Sequence, residues 1–152
     1  MSFDTRLEDL GIVLPETSPA LASYVPVMRQ GDLVFVSGQL PFIDGELVTG
    51  TLGADVEMDR AVAAARACGL MILAQLRSEL GTLDTVAQVI KLGGFVASTP
   101  DFTQQHVVVN GASDLMAEVF GDAGRHARAA VGVPALPLGA AVEVDAIIAL
   151  SA

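Results

Sequence analysis

The sequence predicts an α+β sandwich, with two helices laid on one face of a mostly antiparallel sheet in the order β-β-β-α-β-α-β-β. Three observations lead there. Two stretches, residues 55–80 and 102–120, carry apolar side chains at helical spacing, while the segments around them are β-rich or alternate in polarity. No linker, repeat or low-complexity segment divides the 152 residues, so residues 1–152 read as one domain. The hydrophobic fraction is 52% and the mean hydropathy +0.56, with only 17% charged residues, more apolar than an average monomer of this size. Excess apolar surface needs burial, so the sheet face left bare by the helices is expected to meet further copies of the chain in a homo-oligomer.

The elements follow in order. Residues 1–20 form an N-terminal extension with a short helix over 2–10, capped by Ser2, carrying Phe3, Leu7 and Leu10 on one face and stopped by Gly11. Pro15 to Pro19 reads as irregular. Tyr24–Arg29 and Leu33–Gln39 suggest a hairpin around Gln30-Gly31-Asp32, and Asp44-Gly45 makes a second tight turn between LPFI and ELV. From Asp55 to Leu80 the period changes. Val62, Ala65, Gly69, Ile72, Leu73, Leu76 and Leu80 form a helical stripe, with Asp55, Glu57 and Asp59 at the positive end of the dipole and Gly81 at the exit. Val86–Ala97 is a strand in which Gly93-Gly94 marks a bulge or a close backbone approach. Phe102–Phe120 is the second helix, its apolar contacts supplied by Val109, Leu115, Met116, Val119 and Phe120. Arg128–Val133 and Ala140–Leu150 are the last strands. Both helices are alanine-rich and thin.

Charge and composition exclude several function classes. The net charge is -10, from 18 acidic and 8 basic residues, and Lys91 is the only lysine. The arginines form no run and no aromatic residues interleave with basic ones, so neither nucleic acid nor an anionic membrane is an expected partner. No apolar run approaches the roughly 18 residues of a spanning helix. MSFDTRLEDLG lacks the apolar core of a signal peptide, which points to the cytoplasm. Cys68, the only cysteine, lies in a helical pattern and reads as a packed thiol. His106 and His126 lack metal-ligand spacing and are expected at the surface or at helix ends; no metal and no organic cofactor is expected. Ser37 has no Gly-x-Ser-x-Gly elbow, and Tyr24 would ordinarily be a half-buried packing residue with a hydrogen-bonded tip.

The last two strands carry the chemistry. In ARAAVGV, Arg128, Ala130 and Gly132 share one face; in AAVEVDAII, Glu143 and Asp145 share a face, opposite Val142, Val144, Ala146 and Ile148. An arginine and a glutamate in such apolar strands must find partners. One reading is a structural Arg–Glu pair at a sheet edge or subunit seam. The other is an arginine that grips a carboxylate beside a glutamate that handles protons. The pattern leaves both open.

A resemblance favours the second. GDLVFVSGQLP (31–41) resembles the Ser-Gly-Gln-apolar-Pro signature of the RidA (YjgF) reactive-intermediate deaminase family, with Tyr24 thirteen residues before Ser37 as in that family. ARAAVGVPALPLGAAVEVDAI (127–147) is similar to its second signature, and the likeness covers most of residues 20–150. It implies a chorismate-mutase-like fold and a homotrimer with a pocket at each subunit interface, built from both neighbours. It implies hydrolysis of reactive enamines or imines, such as 2-aminoacrylate or 2-iminobutanoate, to 2-keto acids and ammonia without a cofactor. By the same resemblance, Arg128 grips the substrate carboxylate and Glu143 activates water and moves protons. Tyr24, Ser37, Gly38, Asn110 and Ala130 line the pocket. Two departures mark a divergent subgroup: Ala130 stands where many members carry cysteine, and His126 replaces a usual proline. Three other functions compete: a non-catalytic module that binds a small carboxylate, an endoribonuclease, and chorismate-mutase-like chemistry.

Overall fold

A computed structural model of the chain describes residues 2–17, 20 and 22–152. Its elements are α1 (Phe3–Asp9), β1 (Val27–Gln30), β2 (Leu33–Gln39), β3 (Phe42–Ile43), β4 (Glu46–Leu47), α2 (Met58–Leu80), β5 (Val86–Ala97), α3 (Gln105–Phe120), β6 (Ala127–Val133) and β7 (Val142–Leu150). Five strands form one sheet in the order β1-β2-β7-β5-β6; every pair is antiparallel except β5–β6. The third strand of the expected order is a miniature hairpin, β3–β4, outside that sheet. Asp44 and Gly45 both take positive φ, 51° and 79°, as the tightest hairpin turn requires.

Several boundaries shift from the sequence expectation. β1 begins at Val27, because Pro26 has no N–H to give a ladder and Tyr24 lies in a bend before it. α2 starts at Met58. Asp55, expected to greet its dipole, instead accepts the Thr51 N–H at 2.6 Å and closes a turn. α3 starts at Gln105, since Phe102 is still bonded back to Thr99. The irregular stretch expected over 15–19 is described through Thr17; Ser18 and Pro19 lie outside the described residues. α1 forms as expected: Ser2 Oγ accepts the Thr5 N–H at 3.2 Å, and Phe3 packs edge-on against Phe120 at 4.9 Å.

The strand pleat sorts side chains onto two faces. Val34, Val36, Leu92, Val96, Val142, Val144 and Ile148 point under α2 and α3 and are buried. Each large apolar side chain in this layer contributes roughly 1.5–3 kcal/mol. Against expectation, α2 is long and apolar enough to cross a bilayer by length and composition; 67% of that stretch is buried inside the domain, which makes it the core helix. α2 and α3 approach closely because small residues meet: a Cβ at Gly111 would lie 2.1 Å from the Val62 carbonyl oxygen on α2, and one at Gly69 would lie 2.9 Å from Leu115. Gly94 likewise admits Val109, while the register runs unbroken through Gly93-Gly94, so these glycines mark close approach and not a bulge.

The opposite face has no helix. A row of Met28, Phe35, Ile147, Lys91 and Ala127 crosses all five strands there. Met28 is 58% exposed, Phe35 43% and Val131 45%, so an apolar surface of this sheet stands open in the single chain.

Candidate functional site

The residues singled out from the sequence gather into two groups, one on each face of the sheet. Arg128 sits on the edge strand β6 opposite Leu92, which faces α2 and α3. Its guanidinium turns to α3. Nη1 donates to Ser113 Oγ at 3.1 Å, and Nη2 donates to the His106 carbonyl at 2.9 Å. His106, Asn110 and Ser113 follow one another at i, i+4 and i+7, so they share the face of α3 along which Arg128 lies. Asn110 is exposed there, and Ala130 lies two residues along β6 on the same side as Arg128. The guanidinium keeps N–H groups beyond the two used, enough to meet a carboxylate.

Glu143 is on the other face. It pairs across the ladder with Phe95, which in turn pairs with Val131. Beside it β2 carries a bulge: Val36 pairs with Ala146 and Gln39 with Val144, which leaves one extra residue at Ser37-Gly38. Glu143 lies across Gly38, where a Cβ would be 2.7 Å from its Cδ. Ser37 donates its hydroxyl to the Val25 carbonyl at 2.7 Å and its N–H to the Pro26 carbonyl at 2.9 Å. These bonds bring the segment holding Tyr24 to the same edge. Tyr24 is 46% exposed at that edge. A cavity of about 370 Å³ opens on this face, lined among others by Ser37, Lys91, Gly93, Phe95 and Asp145.

Arg128 and Glu143 therefore form no pair within the chain, which overturns the structural Arg–Glu pair as an intramolecular contact. Arg66–Glu118, at 3.1 Å, is the ion pair among the described residues. His126, expected at the surface or at a helix end, lies two residues past the 3-10 helix Gly121–Gly124. It is partly buried, with Nδ1 2.6 Å from the Gly124 carbonyl and Nε2 2.8 Å from Ser113 Oγ. Ser113 was not singled out by sequence; its spacing from His106 and Asn110 was the available signal. Cys68 is a packed thiol as expected, 3.8 Å from the Val142 carbonyl, and burial pushes its pKa well up. Among the described residues no three His, Cys, Asp or Glu side chains are grouped to hold a metal ion.

The electrostatics of the open face are unusual for carboxylates. Burial raises the Glu143 pKa above the ordinary value, and neighbouring Asp145 raises it further. Burial also raises that of Asp145, against the Gly93 N–H and Lys91, which pull it down. The sign of the stability effect follows. Folded Glu143 holds its proton to higher pH than unfolded Glu143, so the native state binds more protons between the two values. Stability then falls as pH rises through that window and stays lower above it. Glu143→Gln is expected to melt above the wild type at pH 7, with the gap closing as pH drops below about 4. Thermal unfolding across pH reads this directly; an unchanged or lower melting point at pH 7 would show that the carboxylate is not held at a cost.

The family described as "YjgF/chorismate mutase-like, putative endoribonuclease" matches residues 4–150. Protein TCP17 of Trypanosoma cruzi is 51% identical over 148 residues, covering 96% of this chain and 92% of that one. The crystal structure of Atu1372 from Agrobacterium tumefaciens superposes with a TM-score of 0.90 at 50% identity, over 98% of this chain and 92% of that one. RidA from an Antarctic Psychrobacter is more distant, with a TM-score of 0.63 at 26% identity over 89% and 94% of the two chains.

Proposed function

The chain belongs to the YjgF/chorismate mutase-like family, and from that premise we propose that it hydrolyses reactive enamines or imines of the 2-aminoacrylate type to 2-keto acids and ammonia. The observation that carries the proposal is the placement of Arg128 and Glu143 on opposite faces of one sheet. A residue set divided in this way becomes a single site when the open face of one copy meets the β6–α3 edge of the next, as in a cyclic trimer. The exposed Met28, Phe35 and Val131 supply the apolar surface for that contact.

The reaction then has a physical course. The enamine takes a proton on carbon, gives one up from nitrogen and becomes an imine. Arg128 holds its carboxylate by a bidentate fork, which fixes the electrophilic carbon before the attacking group. Water adds to that carbon, giving up a proton as the imine nitrogen gains one. The carbinolamine collapses to the carbonyl and releases ammonia. Glu143 suits both transfers, because its raised pKa brings the acid and base forms closer together near neutral pH. Ser37, Gly38 and Tyr24 from one copy and Asn110 and Ala130 from the other complete the walls. The Ala130 backbone polar groups remain available where relatives place a cysteine. A lone buried thiol suits a cytoplasmic enzyme.

The family description also carries an endoribonuclease label; the net charge of -10 opposes binding of an RNA backbone. The direct test supplies 2-imino acids from an amino-acid oxidase and follows ammonia and keto acid. The wild type is expected to accelerate release above the spontaneous rate. No acceleration with small, branched or aromatic imino acids would leave a carboxylate-binding module in its place.

A further inference from the structure

We infer that Ser113 and His126 are positioning residues that aim the Arg128 guanidinium through a serine–imidazole relay. The inference rests on the reading of Arg128 as a carboxylate anchor.

β6 is the last strand of the sheet, so an arginine on it has a neighbouring strand on one side only. A long side chain there would sample many rotamers. Two contacts from α3 restrain it, and they differ in kind. The His106 carbonyl is a fixed backbone acceptor. Ser113 Oγ is a rotor that could point its lone pairs or its hydrogen toward Arg128, and the guanidinium has no acceptor for that hydrogen.

His126 decides the direction. Its Nδ1 lies 2.6 Å from the Gly124 carbonyl oxygen, which only accepts, so Nδ1 carries the hydrogen. In the neutral ring Nε2 is then an acceptor, 2.8 Å from Ser113 Oγ. The serine hydroxyl donates to it, and the serine lone pairs turn to Arg128 Nη1 at 3.1 Å. Every bond from the guanidinium to the Gly124 carbonyl has one donor and one acceptor. The anchor is held by a side-chain network, and its free N–H groups are set before substrate arrives.

The test compares wild type with Ser113→Ala, Ser113→Thr, His126→Ala and His126→Gln in two measurements. In the imino-acid assay, Ser113→Ala is expected to raise KM about tenfold and kcat to change less than about twofold, since the contact positions the ground-state carboxylate. Pyruvate, a 2-keto acid that is not consumed, should bind about tenfold more weakly by calorimetry. Ser113→Thr and His126→Gln, which keep the hydroxyl and an acceptor, should restore most of both losses. Alanine is a good helix residue, so Ser113→Ala should fold like the wild type.

The second measurement is nitrogen NMR of the histidine and arginine side chains, which is independent of turnover. The relay predicts a His126 ring protonated at Nδ1 and bare at Nε2, and an Arg128 Cζ–Nη1 rotation that is slow in wild type and faster in Ser113→Ala. If the wild type neither turns over imino acids nor binds pyruvate, the anchor reading fails, and the NMR still decides whether the relay exists. A proton on Nε2 alone, identical Arg128 rotation in the two proteins, or unchanged KM and pyruvate affinity in Ser113→Ala would overturn the relay. Failure of Ser113→Thr to rescue would assign the loss to packing and overturn it as well.

Discussion

Arg128→Ala is expected to lower kcat/KM for 2-imino acids by about two to three orders of magnitude, as loss of a hydrogen-bonded charge partner in a partly desolvated site commonly does. Arg128→Lys keeps the charge and loses the planar fork, and should recover only part of the rate. Neither change should unfold the protein, since the side chain is only partly buried, at the sheet edge. The same variant tests where the site lies. If Arg128 and Glu143 act from different copies, Arg128→Ala and Glu143→Gln should each be nearly inactive alone. Co-assembled from mixed chains they should regain activity, about a quarter of the wild-type rate with random mixing in a cyclic oligomer. No recovery in verified mixed oligomers would place both residues in one copy's site and contradict their separation across the sheet.

Gly111→Ala is expected to be among the most damaging small substitutions for stability. The added Cβ would stand 2.1 Å from the Val62 carbonyl oxygen and 3.0 Å from the Arg66 nitrogen. Both are backbone atoms of α2, so no rotamer change relieves the clash and the helices must separate. Separation would disturb packing around Ala65, Val108 and Ala112, all buried. Overpacking of this kind costs about 3 kcal/mol or more at its upper range, which corresponds to a fall in melting temperature of roughly 6–12 °C. Gly38→Ala differs although its clash is also close, because the atoms it meets belong to the Glu143 side chain, which can move. A melting point for Gly111→Ala within a degree or two of wild type would refute the tight α2–α3 crossing.

The sequence made the elements legible and left their facing relations largely hidden. Helical and strand periods are local properties, so the strand Val86–Ala97 and the turn at Asp44-Gly45 could be read from neighbouring residues alone. The boundaries at Asp55 and Phe102 could not, because each is decided by a turn whose partner lies a few residues away in a non-repeating geometry, whereas the one at Pro26 lay in plain view in the missing N–H. Within each strand the sequence correctly put Arg128 with Ala130, and Glu143 with Asp145. Whether those two faces coincide depends on the register of β5 with both β6 and β7, a non-local quantity. The relay was hidden for a related reason. Ser113 and His126 carry no motif, and their meaning appears only when α3 is laid against the end of β6.

The sheet order has a consequence for how the protein is made. β7 lies between β2 and β5, yet it is the last of the elements to emerge during synthesis. Until residues 142–150 arrive, β2 with β1 and β5 with β6 are two separate ribbons, each offering a bare inner edge. The nascent chain must hold both apart from other strands, while α2 waits without much of the surface it will cover. Final closure is then one long-range event that zips two edges at once, and the rate of folding should be governed by the arrival and insertion of that single strand.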